Sequence, residues 1–153
     1  MILEDIIYHC RKEEFMGGID RDTSRIKKTA EVFTPTNLVN KMLDELPPEL
    51  FSDPSKKFLD NSCGDGQFLS EILIRKIENN IEFDVALSSI YGIDLMPDNV
   101  DLCRNRLLCN QEHLRHIVES NIVCADSLTY HYKFNNIPIE QPTNLDNFNG
   151  EDI

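Results

Sequence analysis

Apolar residues first recur at helical spacing at the start of the chain. Ile2, Leu3, Ile6, Ile7 and Cys10 fall on one stripe, which predicts an amphipathic helix reaching to about Phe15 and ending before Gly17 and Gly18. A second stripe, Leu38, Val39, Met42, Leu43 and Leu46, follows Thr34, Pro35 and Thr36. Threonine can cap a helix and proline fits its first turn, so a helix is expected there, stopped by Pro47 and Pro48. The period then alternates. Residues 57–60, 89–94 and 121–125 read as short strands, whereas residues 67–77, with Phe68, Leu69, Ile72 and Leu73, and residues 98–109 read as helices. Residues 79–88 and 111–120 read as connections or extra helical turns.

Strand–helix–strand–helix–strand order implies parallel strands joined by right-handed crossovers. The expected fold class is therefore α/β: a partial Rossmann-like, doubly wound parallel sheet of three to four strands, with flanking helices in three layers and an N-terminal helical segment. Beyond Ser127 the pattern decays. Residues 134–153 hold two prolines, five asparagines and four acidic residues with no Lys or Arg, the composition of a loose tail. This divides the chain into residues 1–30 (helix and loop), 31–130 (the α/β domain) and 131–153 (acidic tail).

Composition narrows the function classes. A chain of 153 residues, 41% hydrophobic, suits one domain with one core. No run approaches the ~18 apolar residues of a membrane span, and the first residues carry Glu4 and Asp5 where a signal peptide has a basic flank. A soluble protein without a membrane partner is expected. The five cysteines form no C-x-x-C pair, so neither a disulfide framework nor a metal site is indicated, and a reducing, cytoplasmic setting fits best. The net charge of −12 opposes a large nucleic-acid surface, because duplex binding depends on Lys and Arg. Only residues 21–28 run against it, with four cations and one anion.

The sharpest motif runs from Phe58 and Leu59 through Asp60, Cys63, Gly64 and Gly66 to Phe68 and Leu69. A strand ending in an acid, then two glycines two apart, then an apolar helix, brings backbone close to a ligand at the carboxyl edge of a sheet. The pyrophosphate patterns G-x-G-x-x-G and G-x-x-x-x-G-K-[ST] are both absent. An acid at the tip repels phosphate but suits an ammonium group. The plain alternative is a Gly-rich turn that only joins strand to helix. Asp94 closes the second strand, where an acid can accept ribose hydroxyls, and Leu95 and Met96 offer apolar surface to an adenine ring. Its competing reading is a cap for the helix near Pro97. Asp126 follows the third strand, and three successive strands each closed by Asp weaken the turn-and-cap explanation.

Glu31, Val32, Phe33, Thr34 and Pro35, then Asp60 to Gly66, then Gly92, Ile93 and Asp94, then Ala125, Asp126 and Ser127, stand in an order that resembles the cofactor half of class I adenine-N6 DNA methyltransferases. The modification subunits of restriction systems and the γ-type bacterial enzymes are the nearest match, over roughly residues 25–130. The resemblance implies S-adenosyl-L-methionine, or S-adenosyl-L-homocysteine, as the cofactor. It implies that Phe33, Thr34 and Pro35 belong to the site, with Thr34 and Pro35 bordering the methionine carboxylate and amine. Asp60, Cys63, Gly64 and Gly66 would cradle the methionine moiety, and Asp94 would hold the ribose. Leu95 or Met96 would cover the adenine, and Asp126, with Ser127 and Leu128 beside it, would accept from the adenine amine. Asn61 departs from the proline common at its position.

The family's catalytic motif, [DNS]-P-P-[YFW], positions the target amine and stacks on a flipped base. No such tetrapeptide occurs in the sequence, so no catalytic residue is assigned. Three functions are compatible with this pattern. The first is a cofactor-binding fragment or subunit of a DNA adenine methyltransferase that is inactive alone, completed by a second chain or by self-association and meeting DNA only indirectly. The second is a non-catalytic S-adenosylmethionine binder. The third is an acidic, DNA-mimic-like interaction protein on a methyltransferase scaffold. The survival of all four binding elements in order favours the first.

Overall fold

The computed structural model describes residues 1–12 and 34–134. In chain order these form α1 (Leu3–Cys10), α2 (Thr36–Asp44), α3 (Glu49–Ser52), β1 (Phe58–Asp60), α4 (Gln67–Glu78), α5 (Phe83–Ser88), β2 (Ile90–Asp94), α6 (Pro97–Leu108), a 3-10 turn (Glu112–Leu114), α7 (Arg115–Asn121) and β3 (Ile122–Cys124). The strands make one parallel sheet in the order β1-β2-β3, with Phe58 opposite Ile90 and Gly92 opposite Ile122. The fold is a partial Rossmann-like α/β unit, as the alternation of periods predicts. The two weakly patterned connections hold α5 and α7, whose buried Ala86, Leu87 and Val118 join the core.

Side chains alternate across a strand. Register therefore puts Phe58, Asp60, Ile90, Gly92 and Ile122 on one side of the sheet and Leu59, Tyr91, Ile93 and Val123 on the other. The first side carries the main core, where Ile90 and Ile122 meet Leu69, Leu73, Val100 and Leu107 of α4 and α6. Val39 and Leu43 of α2 and Phe51 of α3 join the same cluster, with the Phe51 ring stacked on Phe58 at 5.3 Å. Among the described residues no helix takes the place of a third layer on the second side. Instead, Phe134 packs edge-on against Tyr91 at 4.9 Å, and Tyr130 and Tyr132 pack on Phe134. The rest of the tail lies outside the described residues.

Helix boundaries depart from the hydrophobic pattern in two places. The first helix stops at Cys10 rather than near Phe15, because the Cys10 carbonyl is taken by the Arg106 Nε at 2.8 Å. Residues 13–15 lie outside the described ones. Thr34 does not cap the second helix: its carbonyl accepts from the Gln67 side chain at 2.9 Å, and Pro35 occupies the cap position in extended backbone, one residue before the first turn. Of the five-residue stripe only Val39 and Leu43 are fully buried, and Leu38, Met42 and Leu46 remain exposed.

A polar network fastens these helices. Arg11 makes a bidentate pair with the buried Glu71, which also accepts from Asn40, while Arg75 donates to Asn40 and Asp44. Deeper still, Arg106 is 1% exposed and donates to the Cys10 carbonyl, to Gln67 Oε1 at 2.6 Å and to Asp65 Oδ1 at 3.5 Å. Burial lowers its pKa, opposed chiefly by the Asp65 carboxylate. Replacing Arg106 by methionine keeps the volume but leaves a buried carboxylate and two acceptors without this donor. The expected loss is about 3–5 kcal/mol in urea unfolding.

Candidate functional site

The carboxyl ends of the three strands meet on one edge of the sheet. Asp60 pairs with Gly92 and Asp94 with Cys124, so β2 reaches two residues beyond β1 and ends level with β3, and Asp60 and Asp94 share one side of the pleat. β3 ends at Cys124 rather than at an acid. Asp126 is exposed and lies in the turn beyond, its Oδ1 accepting from the Leu128 N–H at 2.9 Å and its carbonyl from the Thr129 and Tyr130 N–H groups. That is the local bonding by which Asp initiates turns.

Between β1 and α4 the chain folds back as a tight loop. The Cys63 N–H donates to the Ile93 carbonyl at 2.9 Å, and the Gly66 N–H donates to the Cys63 carbonyl at 2.9 Å. Gly64 (φ +55°) and Gly66 (φ +97°) both lie in the left-handed region. Their surroundings differ. A Cβ on Gly66 would stand 3.0 Å from the Cys103 Sγ, so this glycine serves the packing of the loop on α6. A Cβ on Gly64 would meet no atom within 4 Å, so the backbone there borders open space. Gly92 has the tightest surroundings, where a Cβ would lie 2.8 Å from Leu69 Cδ1 and 3.0 Å from Cys63 Sγ.

Cys63 turns inward. It is 4% exposed, and its thiol pKa is pushed up by a hydrogen bond with Cys103 and by burial, so what it brings to the loop surface is backbone. Thr34 is drawn to the start of α4 by Gln67, which sets the beginning of α2 beside this loop. Pro35 is exposed beside it, and Phe33 lies outside the described residues. Leu95 and Leu128 are exposed, Met96 and Ser127 are half-buried, and the Ser127 carbonyl accepts from the Tyr132 hydroxyl at 2.7 Å. Cys124 Sγ reaches the Leu95 carbonyl at 3.5 Å and so bridges the second and third tips. Of the five cysteines four are buried, and Cys124 alone is exposed.

Two carboxylates dominate the electrostatics. Asp94 Oδ1 accepts from the Gly64 N–H at 3.1 Å, and Oδ2 accepts from the Met96 N–H and from Asn99 Nδ2, both at 3.0 Å. It thus ties the glycine loop to the tip of β2. Asp60 accepts from the Ser62 N–H, but burial outweighs that bond and, with the nearby Asp94, raises its pKa. The sequence pattern misses Gln67 and Asn99. A polar residue in the first turn of each helix after a strand tip was the available signal. A cavity of about 440 Å³ lies elsewhere, between α1, α2, α3 and α4. Arg11, Asn40, Glu71 and Arg75, which line it, are bonded to one another, so it belongs to the helix-fastening network.

Two outcomes follow. Gly66→Ala is expected to cost more stability than Gly64→Ala, because both pay about 1–2 kcal/mol for left-handed backbone and only the first also meets a sulfur. Thermal melts of the pair check this. An Asp60 carboxyl raised in the folded state costs stability when ionised, a cost absent below its ordinary range and full above its raised value. Asp60→Asn should therefore stabilise the protein at neutral pH, with the gain shrinking as pH falls through the carboxylate range, as measured by urea unfolding across pH.

No curated protein and no solved structure matches the chain. The family model for N-6 DNA methylase matches residues 19–151, which takes in the glycine loop and all three strand tips. By that match, over most of its length, the chain belongs to the N-6 DNA methylase family.

Proposed function

We propose that the chain binds S-adenosylmethionine at the carboxyl edge of its sheet and serves as the cofactor half of a DNA adenine-N6 methyltransferase, with the target-adenine motif supplied from outside these 153 residues. The observation that carries this reading is the Gly64 backbone, held over open space between two carboxylates at adjacent strand tips. The residues fit the cofactor. Asp60 offers a negative partner to the methionine ammonium, and the Gly64 backbone allows close approach. Asp94 would take the ribose, Leu95 and Met96 offer apolar surface, and Ser127 and Leu128 lie near the third tip beside Asp126. S-adenosylmethionine supplies a methyl group on a sulfonium, ready for transfer to an amine. The chain's own contribution is to hold and orient it.

The net charge of −12 favours a second reading, an acidic interaction protein on the same scaffold, and one titration separates the two. Isothermal titration with S-adenosylhomocysteine should show one site per chain. No heat from a folded protein selects the second reading. Asp94→Ala should weaken binding by ~2 kcal/mol, roughly thirtyfold, through the lost charge-assisted contact with the ribose and the lost tie to the Gly64 N–H. Gly64→Val should weaken it further by filling the open space.

Methyl transfer needs the amine held in line with the methyl group, and such positioning supplies many orders of magnitude in rate. The purified chain alone is therefore expected to leave unmodified DNA unlabelled by tritiated cofactor. Label on adenine at the rate of an ordinary methyltransferase would overturn the division of labour.

A further inference from the structure

Asp94 is less available than its place at a strand tip suggests. A carboxylate has about four acceptor positions, and here three are filled from within the protein. The Met96 N–H and Asn99 Nδ2 both donate to Oδ2 at 3.0 Å, and the Gly64 N–H donates to Oδ1 at 3.1 Å. Asn99 is 1% exposed in the first turn of α6, so its amide cannot swing into water and release Oδ2. A vicinal diol spans a carboxylate by bonding one hydroxyl to each oxygen. With Oδ2 doubly occupied, one acceptor position is left, on Oδ1.

We propose that Asn99 is a positioning residue that closes Asp94 Oδ2 and so restricts the carboxylate to one ribose hydroxyl, making the site discriminate between the two. The inference rests on the cofactor reading above and refines it. One hydroxyl is read by a charge-assisted bond, and the other is left to solvent or to a different group. The same bond fixes the carboxylate plane, so that Oδ1 keeps hold of the Gly64 N–H and the glycine loop keeps its shape.

The test uses the full chain and three ligands: S-adenosylhomocysteine and its 2′-deoxy and 3′-deoxy analogues, titrated calorimetrically. For the unaltered protein one deoxy analogue should bind ~10-fold or more weakly and the other within ~3-fold of the parent, the difference a single charge-assisted bond makes. Comparable losses for both analogues, or for neither, overturn the proposal while leaving the cofactor reading intact. Absence of binding by all three removes the cofactor reading itself, and this proposal with it.

Asn99→Ala, with folding checked by circular dichroism, reopens Oδ2, and the gap between the two analogues should shrink below ~3-fold. An equal change for all three ligands would mark Asn99 as merely structural and refute its assigned role. Should that variant not fold, the analogue series on the unaltered chain decides alone.

Discussion

The structure depends on a guanidinium that water does not reach. Arg106 rises from α6 and bonds at once to the last carbonyl of α1, to Gln67 at the head of α4 and to Asp65 inside the glycine loop. Taking a cation out of water is costly, and the cost is met only by several well-placed acceptors acting together. The acceptors come from two segments far apart in the chain, the end of α1 and the glycine loop running into α4, so neither can move without stranding the charge. The loop that borders open space at Gly64 is in this way fixed from behind by a group that itself belongs to the core.

The same principle of backing recurs at the strand tips. Asp94 spends three of its acceptor positions on the protein, which makes it a clasp between two loops as well as a charged group at the edge. Cys63 and Gly92 likewise face inward, and their contribution is the closeness of β2 to α4. The edge is thus preorganised by buried contacts, and the surface presented to a ligand is mostly backbone, two carboxylates and a few exposed apolar side chains.

Much of this was legible in the sequence, because the signals were periodic. The switch from helical spacing to short apolar runs located all three strands and the long helices α4 and α6 between them, but not the short α5 and α7, and the left-handed turn was visible in Gly64 and Gly66. What escaped was decided by contacts across the chain. Nothing local to Met1–Phe15 says that Arg106, some ninety residues on, will take the carbonyl of Cys10 and end the helix there. That Gln67 anchors the Thr34 carbonyl, with Pro35 and not Thr34 at the head of α2, is likewise settled by tertiary geometry. Asp126 reads as a strand end only until its turn is seen, and the partners that occupy Asp94 lie on two different loops and a helix.

The uneven burial of the thiols has a practical use. Cys10, Cys63, Cys103 and Cys109 are sealed in the interior, whereas Cys124 stands open where the second and third strands finish. A maleimide dye under native conditions would attach there and nowhere else in the folded chain, without any engineered cysteine. The unaltered protein therefore carries its own single-point optical reporter at the edge of the sheet, able to sense any molecule, small or large, that settles beside Leu95.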